Sequence, residues 1–411
     1  MTRAPALTSL SAGARRHFDW LDAPHLKSIV AALEAAAPGG ARFVGGCVRD
    51  SLLGERPKDF DIATILTPDA VMKALKAAGL SAAPTGLDHG TVTAIADHQG
   101  VEVTTLRADV ETDGRRAVVA FTQDWTEDAN RRDFRLNAIY LTPDGKLFDP
   151  VGGLDDIAAR RVRFIGEADQ RIREDYLRIL RFFRFTARFS DSFDAEGLAA
   201  CARLKDGIDT LSAERVGAEA MAILSLPRAE TALRAMEEIG VLAKIWDAPA
   251  FVDRVARLKE VAPTLASPVV LAALFGDGGD GVGARLRLSN AEKAIRSNAL
   301  KGAAKIAPDL SDQALRELIY RLGKDIFQDA IAVAYARADI ARADYDRFAG
   351  FVDQWTPPDF PVSGRHIVDA GVAPGPAVAK ILALVEQQWI DEGFPDASRA
   401  QAIVRDLAGA P

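Results

Sequence analysis

Cysteine and histidine are scarce in this chain. Of 411 residues, two are cysteine (Cys47 and Cys201) and five are histidine. Two cysteines make neither a disulfide framework nor a metal-finger pattern, and a reducing cytosol is the simplest setting. The histidines, at 17, 25, 89, 98 and 366, are scattered and none precedes an aspartate, which excludes the His-Asp metal signature of phosphohydrolase domains. Long apolar runs are lacking: residues 269–275 fall well short of a membrane span. Positive charge is not in excess either. The formal net charge is −7, although a local basic stripe can hold a polyanion on an acidic protein. No acid precedes Asp19 while Arg3, Arg15 and Arg16 are present. That resembles a transit peptide superficially, but without a secretory apolar core it reads as a first amphipathic helix. The glycine-rich residues 276–283 lack both a Gly-Lys-Ser/Thr ending and a preceding strand, so they read as an inter-helix loop.

What is present centres on residues 43–64, FVGGCVRDSLLGERPKDFDIAT. An apolar lead-in meets Gly45 and Gly46, a short helical stretch carries Arg49, and the segment closes on Asp59 and Asp61. Without side chains, the glycines let backbone N–H groups approach an anion, and a helix N-terminus favours negative charge. On a strand, a D-x-D aims both carboxylates at one spot, and two adjacent anions call for a divalent metal between them. A D-x-D alone is also common in turns. Phosphate on one side and metal on the other suggest a nucleotide bound with Mg²⁺.

Periodicity organises the rest. Helices are expected at residues 24–37, 50–54 and 68–78, with strands at 43–46, 59–63, 91–96, 101–106 and 138–141. The mixed pattern to about residue 150 makes an α/β head. Beyond Asp155 alternation disappears and helical runs dominate. The expected division is a head over 1–153, a neck over 154–226, a body over 227–300 and a body/tail over 301–411. Glu102 and Thr104 share one face of an alternating strand, VEVTTLR. Glu102 is a third carboxylate if that strand lies beside the aspartates, and a solvent-facing glutamate otherwise. Residues 128–140, DANRRDFRLNAIY, open with Arg131, Arg132, Asp133 and Asn137, and arginine's planar fork suits phosphate. Residues 174–185, EDYLRILRFFRF, read as one helix with Asp175, Arg178, Arg181 and Arg184 along a stripe; taken alone, an i,i+3 salt bridge on a solvated face is their simplest account. Arginine outnumbers acid over residues 160–188, which suits an RNA end.

The string G-G-x-V-R-D-x-L-L-G-x₄-D-x-D-x-x-T resembles the head motif of the class II tRNA nucleotidyltransferases, the group of bacterial CCA-adding enzymes and poly(A) polymerases within the polymerase β-like superfamily. The resemblance is strong over roughly residues 40–225 and returns faintly over the last fifty. It implies an α/β head with a mixed sheet followed by an all-α neck, body and tail. It also implies Asp59 and Asp61 as ligands of Mg²⁺, with Glu102 beside them, and Gly45, Gly46, Arg49, Arg107 and Arg132 near phosphates. Asp133 and Asn137 would hold the sugar, and Arg181 and Arg184 would lie near the nucleotide. Asp175 and Arg178 match the family's E-D-x-x-R base-reading motif. Cytosine and adenine each set an amino donor beside a ring-nitrogen acceptor, so one acceptor–donor pair suits both, while uracil and guanine reverse that polarity and would leave the pair unmatched. Two positions depart from the family pattern: Arg135 replaces a threonine, and residues 113–116 match a mobile-loop motif only in part. The expected activity is addition of C, C and A to a tRNA 3′ end from CTP and ATP in the cytoplasm, without a membrane or stable protein partner. The rivals are a poly(A) polymerase, a CC-only or A-only relative, and a non-catalytic RNA-binding protein on the same scaffold.

Overall fold

Strand alternation in the first part of the chain produces a sheet with two differently used faces. The computed structural model describes residues 7–109, 119–246, 248–276 and 281–408. The partial loop motif at 113–116 and residues 277–280 of the glycine-rich stretch lie outside them. Contacts divide the chain into two units, residues 1–211 with 239–244, and residues 212–238 with 245–411.

The strands of the first unit are β1 (Thr8–Ser9), β2 (Ala41–Val44), β3 (Asp61–Thr64), β4 (Ser81–Gly86), β5 (Thr91–Ala96), β6 (Gln99–Thr105), β7 (Arg107–Asp109), β8 (Val119–Phe121), β9 (Tyr140–Leu141) and β10 (Lys146–Phe148). Eight form one sheet in the order β1-β10-β9-β2-β3-β6-β5-β4, and β7 pairs with β8. The large sheet is mixed: β3 and β6 run parallel, while β2 is antiparallel to both β3 and β9. On one face, Phe43, Ile62, Val92 and Val103 pack with Leu26, Ile29, Val30 and Leu33. Those last four share one side of the Pro24–Ala36 helix, which starts with proline where no N–H is needed. The alternate residues Val44 and Ala63 pack on the other face with Ala129, Ala138 and Tyr140. Asp61 and Glu102 have the parity of that second face.

Helices follow the sheet: Ala168–Glu174, Leu177–Phe189 and Ala195–Leu204. Leu177, Leu180, Phe182 and Phe183 are buried, as the stripe pattern predicts. The expected single helix over 174–185 is not there. The chain breaks at Asp175, whose φ of −155° and ψ of 105° are extended, and the Asp175 side chain then accepts the Leu177 N–H at 3.1 Å. At the break, neighbouring Tyr176 packs its ring so close to Gly207 that a Cβ there would sit 1.9 Å from it.

The second unit is all helix among its described residues. In Ser267–Phe275 every residue from Pro268 on is buried, which accounts for the unbroken apolar run that follows Ser267. Ser212 caps Ala213–Leu224 as its sequence suggests, and Glu214 pairs with Arg287 at 3.3 Å on the surface. The tail forms the expected helix-loop-helix, Gly364–Asp369 and Pro376–Asp391.

Candidate active site

The turn after β2 needs its first glycine. Gly45 has φ 75° and ψ −129°, a combination that side chains strongly disfavour, and a Cβ there would face Asp61 Oδ2 at 3.7 Å. The turn feeds directly into the Gly46–Leu52 helix, so its open N–H groups lie beside the first residue of β3.

Asp61 stands opposite Val44 on one side and Glu102 on the other, in register with both. The condition set for Glu102 is met in that its strand lies beside that of Asp61, while Glu102 itself is exposed. Asp59 needs a correction: the strand begins at Asp61, and Asp59 lies exposed in the bend before it. Asp61 still senses both of the other carboxylates. Burial, then Glu102, and more weakly Asp59, push Asp61 up to about 6, against the pull of Arg132 and Arg49.

Arginines surround this edge, and buried acids hold them. Asp128, on the Trp125–Asn130 helix, is 1% exposed in its side chain. One of its oxygens accepts from Arg131 at 2.6 and 2.8 Å and from the Arg107 backbone N–H at 3.0 Å. The other accepts from Arg132 at 3.0 Å and from the Tyr140 hydroxyl at 2.7 Å. Burial opposes charge on Asp128, yet Arg132 and Arg131 prevail and bring it down to about 2. A second chain of bonds starts at Arg181, which grips Asp133 at 2.6 and 2.8 Å. Asp133 accepts from Asn137 at 3.0 Å, and Asn137 accepts from Arg49 at 2.7 Å. Arg49 also pairs with Asp50 at 2.6 Å, and Asp50 with Arg188 at 3.2 Å. The Leu177–Phe189 helix is thus tied through four side chains to the glycine turn.

Asp175 and Arg178 do not share a helix face, because Asp175 lies in the break. Arg178 bonds Glu174 at 2.5 Å, the Arg171 carbonyl at 2.7 Å and the Arg131 carbonyl at 3.1 Å. Glu174 also takes Arg171 at 2.6 Å. Arg184 stacks on Phe185, with 4.7 Å from its guanidinium carbon to the ring centre.

A family model described as the Poly A polymerase head domain matches residues 41–163, which include the glycine turn and the acidic edge. The chain is 36% identical over 371 residues to the mitochondrial CCA tRNA nucleotidyltransferase 1 of Mus musculus, covering 86% of this chain and 83% of that protein. It is 31% identical over 375 residues to the CCA-adding enzyme of Levilactobacillus brevis, covering 87% and 91%. The chain belongs to the CCA tRNA nucleotidyltransferase family. Solved structures share its fold. A Bacillus stearothermophilus CCA-adding enzyme in complex with CTP aligns with a TM-score of 0.69 at 24% identity, over 93% of this chain and 97% of that one. A Thermotoga maritima CCA-adding enzyme complexed with tRNA aligns with a TM-score of 0.69 at 17% identity, over 95% and 97%.

Nucleotidyltransferases of this family generally use a divalent metal, and the acidic edge fits one. Its donors are hard carboxylate oxygens, and Asp61 is raised by burial first and then by its neighbour Glu102, a shift that a bound cation would oppose. Among the described residues no three acidic, His or Cys side chains converge to hold an ion. Such a site fits a hard cation that takes one or two carboxylates and completes its shell with substrate phosphate and water. Sequence reasoning missed Asp128, Asp50 and Glu174 as the acids that fix the arginines. The signal for Asp128 was available: it lies three and four residues before Arg131 and Arg132, neighbouring positions on a helix. The chain of four side chains from Arg181 to the glycine turn left no such trace. Among the described residues no helix is long and apolar enough to cross a membrane.

Proposed function

We propose that this protein adds C, C and A to the 3′ end of tRNA, using CTP and ATP. Asp59 and Asp61 would hold Mg²⁺, which when bound acts as a Lewis acid on the RNA 3′-hydroxyl and the triphosphate. Gly45, Gly46, Arg49 and Arg132 cradle the phosphates, with Arg107 near the triphosphate. Asp133 and Asn137 hold the sugar, and Arg181 and Arg184 fix the nucleotide's surroundings. The RNA oxygen attacks the α-phosphorus, a phosphodiester forms, pyrophosphate leaves and the hydroxyl proton passes to solvent. Positioning and charge stabilisation supply the rate, so no dedicated general base is required. Asp175 accepts from, and Arg178 donates to, the pairing edge of C or A. The residues to 153 act as the catalytic head, 154–226 as the base-reading neck, and 227–300 and 301–411 as the body and tail that hold tRNA.

The observation that carries this reading is Asp61 in register with Glu102 and against the Gly45 turn. The buried free thiols of Cys47 and Cys201 support a reducing cytoplasmic setting. The match of the head to a Poly A polymerase model favours one second reading, untemplated A addition to other RNA. One experiment separates the two: tRNA lacking CCA is incubated with CTP, with ATP and with both, and the products are sized. Three added residues, and only with both nucleotides, support CCA addition. Long A tails from ATP alone overturn it. Products that stop after two C, or add A only to a tRNA already ending in CC, identify a partial-addition relative.

A further inference from the structure

The glycine turn and the acidic edge are joined by an irregular stretch, residues 53–60, between the Gly46–Leu52 helix and β3. Backbone bonds tie Leu53, Gly54 and Glu55 back to that helix. Towards the other end Asp59 is exposed and precedes the strand. Its neighbour Phe60 instead packs against the core on the first face of the sheet. Trp20 meets both ends of this stretch. It is buried in the Arg16–Asp22 segment, just before the Pro24–Ala36 helix. Its indole Nε1 donates to the Ser51 hydroxyl at 2.8 Å, and Ser51 is itself buried on the helix that follows the glycine turn. The Trp20 ring lies against Phe60 with centres 5.0 Å apart and stands edge-on to Phe43 at 4.9 Å. Phe43 precedes Val44, the residue opposite Asp61. His25, also buried, adds an edge-on contact to Phe60 at 6.3 Å.

One side chain thus bonds the helix on the phosphate side and packs on the residue between the two aspartates. Any large apolar residue could fill the space. The indole does more, because its buried N–H needs an acceptor and a hydrogen bond is directional. The bond to Ser51 therefore fixes the rotation of the ring as well as its place, and with it the seat of Phe60. We infer that Trp20 is a positioning residue: it sets the spacing between the glycine turn and the pair Asp59 and Asp61. It acts through Ser51 and Phe60. The inference rests on the proposed metal and phosphate roles of those elements and goes beyond them, since no residue before Gly45 enters that reading.

The test uses the full chain with two substitutions. Trp20→Phe keeps a ring and loses the N–H; Ser51→Ala loses the acceptor with little change of volume, and it keeps the test open if Trp20→Phe fails to fold. Melting curves without nucleotide give the Mg²⁺ concentration for half of the stabilisation that the ion provides. CTP incorporation at saturating Mg²⁺ gives kcat and KM. Each variant should need about tenfold more Mg²⁺ and lose about tenfold in kcat, with the KM for CTP little changed. The double variant should match the single ones, because either substitution breaks the same bond. A tryptophan that only supports the core predicts lower melting temperatures with the Mg²⁺ requirement and kcat of the parent chain, and that result overturns the inference. So do losses that simply add in the double variant. A parent chain that gains no stability from Mg²⁺ and incorporates CTP without it would instead sink the metal reading, and the inference with it.

Discussion

Two groups of acids lie in the first unit and are treated in opposite ways. Asp128 and Asp133 are buried and heavily satisfied by arginine, amide and hydroxyl donors. Asp61 has Glu102 beside it across the sheet and Asp59 two residues before it, and burial, then the repulsion of Glu102, lifts Asp61 to about 6. The first group is held as scaffold; the role proposed for the second is to take a positive ligand. Substitution tests that contrast directly.

The largest effect is expected at the acidic edge. Asp61→Asn removes the proposed ligand and a repulsion together. Nucleotide incorporation should fall by about 10³-fold or more, while thermal stability at neutral pH stays level or rises. Incorporation from labelled CTP and a melting curve check both halves. A variant that melts much lower would place Asp61 with the scaffold. Asp128→Asn should do the reverse, because it strands Arg131, Arg132 and Tyr140 in a buried setting. Urea unfolding should show a loss of about 3 kcal/mol. An unchanged midpoint would mean that the bonds around Asp128 are replaced by water at little cost.

The carboxylate edge was legible because its cause is local. Glycines at a tight turn and a strand with period two are short-range signals, although it takes the pairing of β3 with β6 to bring Glu102 beside Asp61, and Asp59 lies before the strand. Other features have distant causes. Nothing in the string EDYLRIL marks a helix break, since it contains neither glycine nor proline. The break at Asp175 accompanies a Tyr176–Gly207 contact far along the chain. Strand β4, SAAPTG, carries proline and glycine and no β-branched run, and it is not among the expected strands. It pairs only at the sheet edge, with a register shift where it meets β5. The Arg181–Asp133 pair spans 48 positions, beyond the reach of any periodicity.

Asp175 lies between the two groups, in the break, with its carboxylate against the Leu177 N–H. If it reads the base, Asp175→Ala should cost about 10² in discrimination between CTP and UTP while leaving the melting curve nearly unchanged. Single-nucleotide incorporation with each triphosphate measures this. Discrimination equal to that of the parent chain would assign Asp175 to capping the following helix.

The smallest expected effect separates the two groups in a single titration. Asp61 has a raised pKa, so between its ordinary value near 3.8 and about 6 the folded protein keeps a proton that the unfolded chain has lost. Stability without metal should therefore fall as pH rises through that window, by roughly 1 to 2 kcal/mol. Asp128 has the opposite sign: its contribution is complete above about 4 and disappears as pH falls towards 2. Together they predict a metal-free stability maximum near pH 4, followed by a decline to pH 6. A divalent cation bound at the acidic edge favours the charged carboxylate, so saturating Mg²⁺ should flatten or reverse the upper limb and leave the acid limb in place. Urea midpoints measured from pH 3 to 7 with and without Mg²⁺ make the comparison. If the cation shifts both limbs equally, it is not acting through Asp61, and the distinction between scaffold and ligand-seeking acids fails.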